Sequence, residues 1–428
     1  MKKYFNVSQI WVLFLIFSGT LINAIDRGSF STANTFIAKD LHLSLGTMGL
    51  ILSSFGWTYL IFNLPAGYLC DRFGSKKVYG IAAFLWSIAS ALSGLARGAG
   101  MLFFSRLLVG AGESANFPAA TKVVAENFEK EKRGTATGIY LAGLRLGYAL
   151  TPGLMLGLMV WLGTKENPDW RIAFIITGLC SLLWVILWFL TFREKRKDAE
   201  EKSQKQSMNG SIVLELLKLR NTWAIIAIKF FQDYVYYLYL TWLPGYLIAA
   251  RHMDLGSVAF YATLPWIAGM LAQPLVGILS DYLIGKGYEV NKVKKTILVI
   301  AQLIAVSVIG AAFVESAVVA AWLLVIAMTA ESASTAILWS LPQDLAPKGT
   351  AGSLGGIMNT AGALASIVSP ALTGFIAQYF GFKAALVLCG GTMVLAVLSV
   401  LFLLTKIRTM SLKNNSVVMT NQNIMMDE

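Results

Sequence analysis

The sequence predicts an all-α polytopic membrane protein, with twelve transmembrane helices arranged as two pseudo-symmetric six-helix bundles. Two observations support this prediction: the apolar composition, and a short motif that occurs twice. Of the 428 residues, 56% are hydrophobic and 14% are charged, and the mean hydropathy is +0.64. Soluble domains carry nearer a quarter of charged residues, so this composition is typical of a chain that crosses a lipid bilayer repeatedly.

Twelve apolar stretches are long enough to cross a bilayer core, which takes roughly 20 residues per helix. They cover residues 10–37, 47–70, 78–96, 100–124, 136–161, 171–192, 222–248, 257–285, 295–314, 317–344, 350–379 and 383–405. The first stretch follows Lys2 and Lys3, as in a signal peptide, but no small-residue cleavage site follows it. We therefore expect it to be the first span.

The basic residues define the topology. The net charge of +12 does not indicate nucleic-acid binding, because Lys and Arg lie mostly in the short gaps between apolar stretches. With twelve spans, 24 Lys and Arg fall on one side of the membrane and six on the other. Since cytoplasmic loops carry the excess of positive charge, both termini are predicted to be cytoplasmic.

A repeated motif divides the chain into two halves. Residues 67–77 read GYLCDRFGSKK after the second stretch, and residues 277–287 read GILSDYLIGKG after the eighth. The repeat predicts an N-terminal bundle over 1–192 and a C-terminal bundle over 221–405. Between them lies a basic cytoplasmic linker, 193–220, with eight Lys or Arg. The polar tail, 406–428, has no periodicity and is predicted to be cytoplasmic and disordered.

The chain offers little for enzyme chemistry. Its three cysteines, Cys70, Cys180 and Cys389, lie in or beside apolar stretches without a CxxC pair, so we interpret them as small hydrophobic residues. His42 and His252 lie in predicted extracellular loops. No nucleophile–base set and no metal-ligand spacing is present. We therefore expect a protein that is not an enzyme and has neither a metal nor a cofactor.

Ionisable residues inside the spans are the functional candidates, because a charge in the bilayer is costly. The basic ones are Arg27, Arg106, Lys122, Arg145 and Lys229, and the acidic ones are Asp26, Glu113, Asp233 and Glu331. Lys122 lies near a span end and can reach the interface. Neighbours in a helix point about 100° apart, so Asp26 and Arg27 face different partners. Arg106 and Glu113 share a helix face about 10 Å apart along the axis, and Lys229 and Asp233 form an i,i+4 pair.

Several segments resemble a known transporter family. The first motif resembles the signature of the major facilitator superfamily after span two, and the run from Arg106 to Pro118 resembles its signature in span four. Within the superfamily, further segments resemble the anion:cation symporter family: Asp26-Arg27, residues 131–134, 233–244 and 339–344. The resemblance covers residues 10–405. Bacterial members import sugar acids or other organic anions, and the vesicular glutamate and sialic acid transporters are eukaryotic relatives.

The resemblance implies roles for the buried charges. Asp26 and Glu113 would carry protons, Arg27 would bind the carboxylate of the substrate, and Arg106 would exchange between Glu113 and Asp26. Physical chemistry agrees: burial favours the protonated carboxyl, a neighbouring guanidinium favours the ionised form, and linkage makes the two binding events reciprocal. Arg also grips a carboxylate through two parallel hydrogen bonds. The alternative is that these residues form structural ion pairs between spans one and four.

Other polar residues complete the expected cavity. The residues that fall where family members contact substrate are Tyr59, Arg145, Tyr234, Tyr237, Trp339 and Asn359. Arg145 would bind a second carboxylate of the substrate or neutralise a buried acid. For the aromatic residues, the alternatives to substrate contact are packing against neighbouring helices and anchoring at the membrane interface. Ala24, Ala336 and Leu338 replace hydroxyl residues of the galactonate type. Their replacement favours a smaller, flatter or dicarboxylic anion.

The repeated motif is predicted to be a conformational gate. In the family, the loop pairs charges and helix ends to lock the two bundles in the outward-open state. The residues expected to do so are Gly67, Asp71, Arg72, Gly74 and, in the second copy, Asp281. The positive-inside rule accounts for Lys76 and Lys77 but not for Asp71. Since Tyr282 replaces the arginine, the second lock is expected to be weaker.

The expected function is proton-coupled symport of a small organic anion, a sugar acid or a carboxylate, by alternating access. The family pattern and the short loops favour the inner membrane of a bacterium, and we expect a monomer. Sodium-coupled transport and exchange are alternatives that the same acids can serve. A transporter-like substrate sensor is a further alternative, although neither linker nor tail is long enough for a signalling domain.

Overall fold

The computed structural model describes residues 6–128, 130–194, 210–347 and 350–410. These residues form helices and no strand. The helices are α1 Val7–Asp40, α2 Leu45–Phe73, α3 Ser75–Gly94, α4 Ala99–Glu113, α5 Asn116–Asn127, α6 Lys130–Leu162, α7 Trp170–Thr191, α8 Gly210–Leu217, α9 Arg220–Ala249, α10 Leu255–Gly285, α11 Val290–Ala305, α12 Gly310–Phe313, α13 Ala317–Leu345 and α14 Ala351–Leu398. A short 3-10 turn joins α11 to α12, and a π-helical turn, Ser399–Leu403, follows α14.

Eight of the described helices are long and apolar enough to cross a membrane. Three predicted spans are missing from these eight: α3, the broken pair α4–α5, and α9. The longest candidate, Ser353–Leu403, contains two predicted spans, which Gly381 separates with a φ of +78°. The all-α membrane fold is confirmed, whereas length and apolar character alone do not reproduce the full count of twelve.

Local sequence explains several helix ends. The side chains of Ser44, Asp169, Asp254 and Ser316 accept hydrogen bonds from backbone N–H groups in the first turns of α2, α7, α10 and α13. These caps satisfy donors that have no partner inside the helix. At the other end of α2, Gly74 has a φ of +90°, a conformation that glycine adopts without the strain a Cβ would bring.

Span four breaks next to a buried acid. Helix α4 ends at Glu113 and α5 begins at Asn116. Pro118 lies in the first turn of α5 and has no N–H to donate to the carbonyl of Ser114. The amide of Asn63 on α2 donates to that carbonyl instead, at 3.4 Å. A break at this depth is tolerated because neighbouring side chains satisfy the freed backbone groups.

The two bundles meet at one face, here called the closed face, which is formed by residues 34–56, 241–263 and 366–378. Hydrogen bonds cross between the bundles there: Asn34 donates to the Thr241 carbonyl at 2.8 Å, and the Gly46 N–H donates to Gln378 at 2.8 Å. Ser53 donates to the Ile367 carbonyl at 2.7 Å. The packed pairs are α1 with α9, α2 with α14 and α6 with α10.

The bundles are separate at the opposite face, here called the open face, which carries Asn6, Gly74 and Gly287. Two apolar cores in this half each belong to a single bundle, around Tyr79 and Trp188 in the first and around Leu298 and Leu341 in the second. In the closed half, by contrast, the cores join side chains of both bundles. A cleft between the bundles therefore opens toward the face that the charge distribution predicts to be cytoplasmic.

The predicted linker and tail are partly described. Residues 195–209 and 411–428 lie outside the described part of the chain. Helix α8 lies within the predicted linker. The first residues of the tail, which was expected to be disordered, pack on the C-terminal bundle: the Ile407 N–H donates to Asn291 at 2.9 Å, and the Met410 N–H to the Leu345 carbonyl at 2.8 Å. These backbone groups hold the chain as far as residue 410.

Candidate substrate and proton site

An arginine–glutamate pair lies at the centre of the N-terminal bundle. Arg27 on α1 donates from Nε to Oε2 of Glu113 at 2.9 Å, and its Nη2 lies 2.8 Å from the same oxygen. Arg27 is 8% exposed and Glu113 is fully buried. The second carboxylate oxygen of Glu113 has no hydrogen-bond partner among the described residues. An ion pair between spans one and four, the alternative interpretation of these charges, is thus present, and the partner of Glu113 is Arg27 of span one.

Aromatic rings hold both guanidinium groups. The guanidinium carbon of Arg27 lies 4.5 Å from the ring centroid of Phe55 and 5.0 Å from that of Tyr59. Arg106 lies 4.8 Å from Phe30 and 5.1 Å from Phe55, and its Nε has no hydrogen-bond partner among the described residues. Sequence reasoning missed Phe55, although its position one turn before Tyr59 on α2 was a usable signal. These contacts stabilise the cations without neutralising them.

Asp26 points away from Arg27, as their helical spacing predicts. Its two oxygens accept hydrogen bonds from Ser90 on α3 at 3.3 Å and from Ser181 on α7 at 3.2 Å. Asp26 is 1% exposed, and none of the described Lys or Arg side chains forms an ion pair with it. Two hydroxyls and no cation suit a carboxyl group that binds and releases a proton.

The C-terminal bundle contributes a second charged pair. Lys229 Nζ lies 2.7 Å from Asp233 Oδ1, so the predicted i,i+4 pair is present. The same ammonium lies 5.2 Å from the ring centroid of Trp339, which is 44% exposed. Asn359 on α14 is also exposed. Trp339 and Asn359 are therefore accessible to a solute, whereas Lys229 and Asp233 are buried.

Arg145 lies between the bundles. Its guanidinium carbon is 5.8 Å from the ring centroid of Tyr236 on α9, and its Nη1 has no hydrogen-bond partner among the described residues. The residue is partly buried. Tyr237, the neighbouring predicted contact, packs edge-on against Tyr236 at 5.2 Å and is partly exposed. A buried donor without a partner suits the binding of an anion.

Tyr234 lies apart from this group. Its hydroxyl is 3.1 Å from that of Thr373 on α14, and the side chain is 2% exposed. The predicted substrate residues Arg27, Tyr59, Arg145 and Tyr237 are thus grouped around the cleft, whereas Tyr234 packs inside the C-terminal bundle. Its position three residues before Tyr237 rotates it only about 60° around α9, and its hydrogen bond to Thr373 on α14 holds it away from the cleft.

The repeated motif lies at the open face. Arg72 is exposed, stacks on Phe73 at 5.3 Å and donates weakly to the Tyr68 hydroxyl at 3.4 Å. The carboxylate of Glu194 packs on Gly74, and it accepts a hydrogen bond from the Ser75 hydroxyl at 3.2 Å. The side chain of Asp71 lies outside the described ones.

The other gate residues have few neighbours. Asp281 is exposed and forms no described ion pair. Gly67 meets only Pro118, at 3.9 Å from an added Cβ. The predicted lock requires the two bundles to meet at this face. Because they are apart here, the lock stays a prediction for a conformation that is closed at this face.

Comparison with known proteins identifies the fold family. Residues 16–370 match the family model of the Major Facilitator Superfamily. The chain belongs to this superfamily. It is 31% identical to the "Probable galactarate/D-glucarate transporter GudP" of Bacillus subtilis, across 94% of this chain and 93% of the relative. It is 32% identical to the hexuronate transporter of the same organism, across 93% of this chain and 95% of the relative.

Solved structures show the same superfamily fold. A bacterial homologue of the human lysosomal transporter Spinster, in an inward-facing conformation, matches with a TM-score of 0.79 at 18% identity, over 92% of this chain and 97% of that one. The D-xylose–proton symporter matches with a TM-score of 0.75 at 16% identity, over 94% and 100% of the two chains. The expected resemblance to organic-anion transporters of the superfamily is confirmed, and the chain is an integral membrane transporter and not an enzyme.

Proposed function

We propose that this protein imports a sugar acid or related carboxylate together with protons, across the inner membrane of a bacterium. The observation that carries the proposal is the Arg27–Glu113 pair, which lies inside the membrane beside a cleft that is closed at one face and open at the other. Arg27 is paired with a carboxylate of the protein, so a carboxylate of the substrate can compete with Glu113 for the same guanidinium.

Competition at Arg27 couples the two solutes. When a substrate carboxylate takes the guanidinium, Glu113 loses its counter-charge in a low-dielectric environment and binds a proton more readily. Proton binding in turn releases Arg27 for the substrate, and the two effects are equal in free energy. Asp26, with its two serine donors and no cation, provides a second proton site on the same helix.

The chemistry of the cleft supports an acid with two carboxylates. Arg27 and Arg145 both contact aromatic rings, and each can still bind a carboxylate of the substrate. The Nη1 of Arg145 has no partner among the described residues, and Arg27 can exchange Glu113 for a substrate carboxylate. Two of the relatives are named as galactarate/D-glucarate transporters, whose substrates are diacids. A dianion spanning the two arginines would contact both bundles.

The test uses purified protein in proteoliposomes with an internal pH dye. D-Glucarate added outside should drive proton uptake in the wild type. Glu113→Gln and Asp26→Asn should each abolish substrate-dependent proton uptake, and Asp40→Asn, at an exposed ion pair with Arg171, should leave it unchanged. Undiminished proton uptake in both membrane variants would contradict the proposal.

The same vesicles distinguish the coupling ion. Replacing sodium by choline should leave uptake unchanged, whereas dissipating the pH gradient with a protonophore should lower it. Uptake that follows sodium, or that requires an internal organic anion, would instead indicate sodium coupling or exchange.

A further inference from the structure

Glu331 on α13 is a buried carboxylate, and its hydrogen-bond donors among the described residues are all neutral. Thr335 donates to Oε1 at 2.7 Å, the Gln232 amide donates to the same oxygen at 3.3 Å, and Ser332 donates to Oε2 at 3.3 Å. Glu331 is 1% exposed. The mechanism proposed above gives this residue no part.

The charged groups on the surrounding helices do not neutralise Glu331. On α9, Lys229 is paired with Asp233 at 2.7 Å, and the Tyr239 hydroxyl donates to the Leu324 carbonyl at 2.9 Å. Helix α10 presents Gly269 to Ser332, and α11 presents the neutral Gln302 through Ser334. Arg145 on α6 forms no described ion pair with Glu331, but it lies in the neighbourhood: it contacts Tyr236 on α9, one turn from Gln232, which donates to Glu331.

A buried carboxyl without a cation in contact is easily protonated, because an ionised carboxylate away from water needs a cation close by. Its ionised form therefore depends on the nearest free cation, Arg145, and on whether that cation is occupied. Its environment also offers a route for the proton. Thr335 is only partly buried and donates directly to Glu331. Its hydroxyl therefore connects the acid to the cleft.

Glu331 has a counterpart in the other half of the molecule. Glu113 lies in span four and Glu331 in span ten, the fourth span of each half. The difference is the partner: Glu113 is bound by Arg27, whereas the side chain that reaches Glu331 from the first span of its half is the neutral Gln232. The fourth span of each bundle thus carries a buried carboxyl group, and of these two only Glu113 has an ion pair among the described residues.

We propose that Glu331 is a further proton-binding site, which takes its proton when a second substrate carboxylate binds Arg145. An empty Arg145 favours ionised Glu331 through space, and a bound carboxylate cancels that effect. The proton comes from the water in the cleft and leaves toward the cytoplasm with the substrate. This inference rests on the proposed function. It adds that a dianion is transported with one more proton than a monoanion is.

The experiment compares a diacid with a monoacid. Proton uptake per substrate molecule is measured in proteoliposomes with D-glucarate and with D-galactonate, from parallel dye and radiolabel signals. The wild type should take up about one proton more per D-glucarate than per D-galactonate. Glu331→Gln keeps the size and the hydrogen-bonding capacity of the side chain and should remove that difference. Glu315→Gln, in the exposed turn before α13, is the matched control and should retain it.

The outcomes separate the two proposals. No substrate-dependent proton uptake in the wild type would overturn the proposed function and this inference with it. Proton uptake with equal stoichiometry for both acids in the wild type, or a retained difference in Glu331→Gln, would overturn the inference alone. Where Glu331→Gln cannot be reconstituted, equal stoichiometry in the wild type would still overturn the inference, and Glu331→Asp, which keeps a carboxyl group, should retain the extra proton.

Discussion

The closed face depends on close contact between two helices, and a single methyl group should disturb it. A Cβ added to Gly49 on α2 would lie 2.7 Å from the Pro370 carbonyl oxygen and 3.1 Å from the Gly374 Cα on α14. Ordinary van der Waals contact begins at 3.4 Å, so the methyl is about 0.7 Å too close to the carbonyl oxygen. Both neighbours are backbone atoms and cannot rotate away. The two helices must therefore separate.

The cost applies to one conformation only. Overpacking of this kind costs about 1–3 kcal/mol, which corresponds to a change of about 5- to 150-fold in an equilibrium constant. Since the clash exists only while α2 and α14 are in contact, Gly49→Ala should shift the population by that factor toward molecules that are open at this face.

Pulsed electron paramagnetic resonance can measure the shift. Spin labels at Lys165 and Glu315, which are exposed in loops of different bundles at the closed face, report the separation directly. Gly49→Ala should move population from the short distance to a longer one. Gly355→Ala is the matched control, because a Cβ there meets nothing within 4 Å. Identical distance distributions in both variants would refute the reasoning.

Two further predictions concern selectivity and pH. Arg145→Gln should weaken binding of D-glucarate about tenfold or more but leave D-galactonate binding nearly unchanged, as calorimetry on the purified protein would show, because only a diacid reaches both arginines; equal losses for both acids would contradict this. Asp254 caps α10, and the Ser257 hydroxyl and N–H hold its pKa below the ordinary value of 3.8. A depressed pKa in the folded state adds stability above pH 3.8 that is lost as the pH falls through the folded-state value. The small decrease in Tm expected for Asp254→Asn at pH 7 should therefore shrink as the pH falls below 3.8, and a decrease that is independent of pH would exclude the charge as its cause.

Much of the site could be predicted from short spacings along the chain. The different directions of Asp26 and Arg27 follow from the helical angle, and the Lys229–Asp233 pair follows from four-residue spacing. Both are properties of a single helix, so no partner helix had to be known. The same holds for the apolar spans and for the duplicated architecture.

The partners across helices could not be predicted. Glu113 pairs with Arg27, 86 residues away, and leaves Arg106, its neighbour on the same helix face, to the rings of Phe30 and Phe55. Spacing fixes where a side chain points around its own axis, but the rotation of that helix against its neighbours comes from packing. Tyr234 shows the same limit, because only the position of α14 places Thr373 at its hydroxyl.

The sequence by itself determined that this is an all-α membrane protein with charges buried in its spans, and it predicted the duplication, since composition and periodicity are local and additive along the chain. Only the tertiary structure decided which carboxylate holds which cation, that span four breaks beside Glu113, and that Glu331 has neutral partners alone. It also decided which face is closed. These features depend on contacts between helices that are distant in the chain, and such contacts are set by the shape and close approach of whole helices.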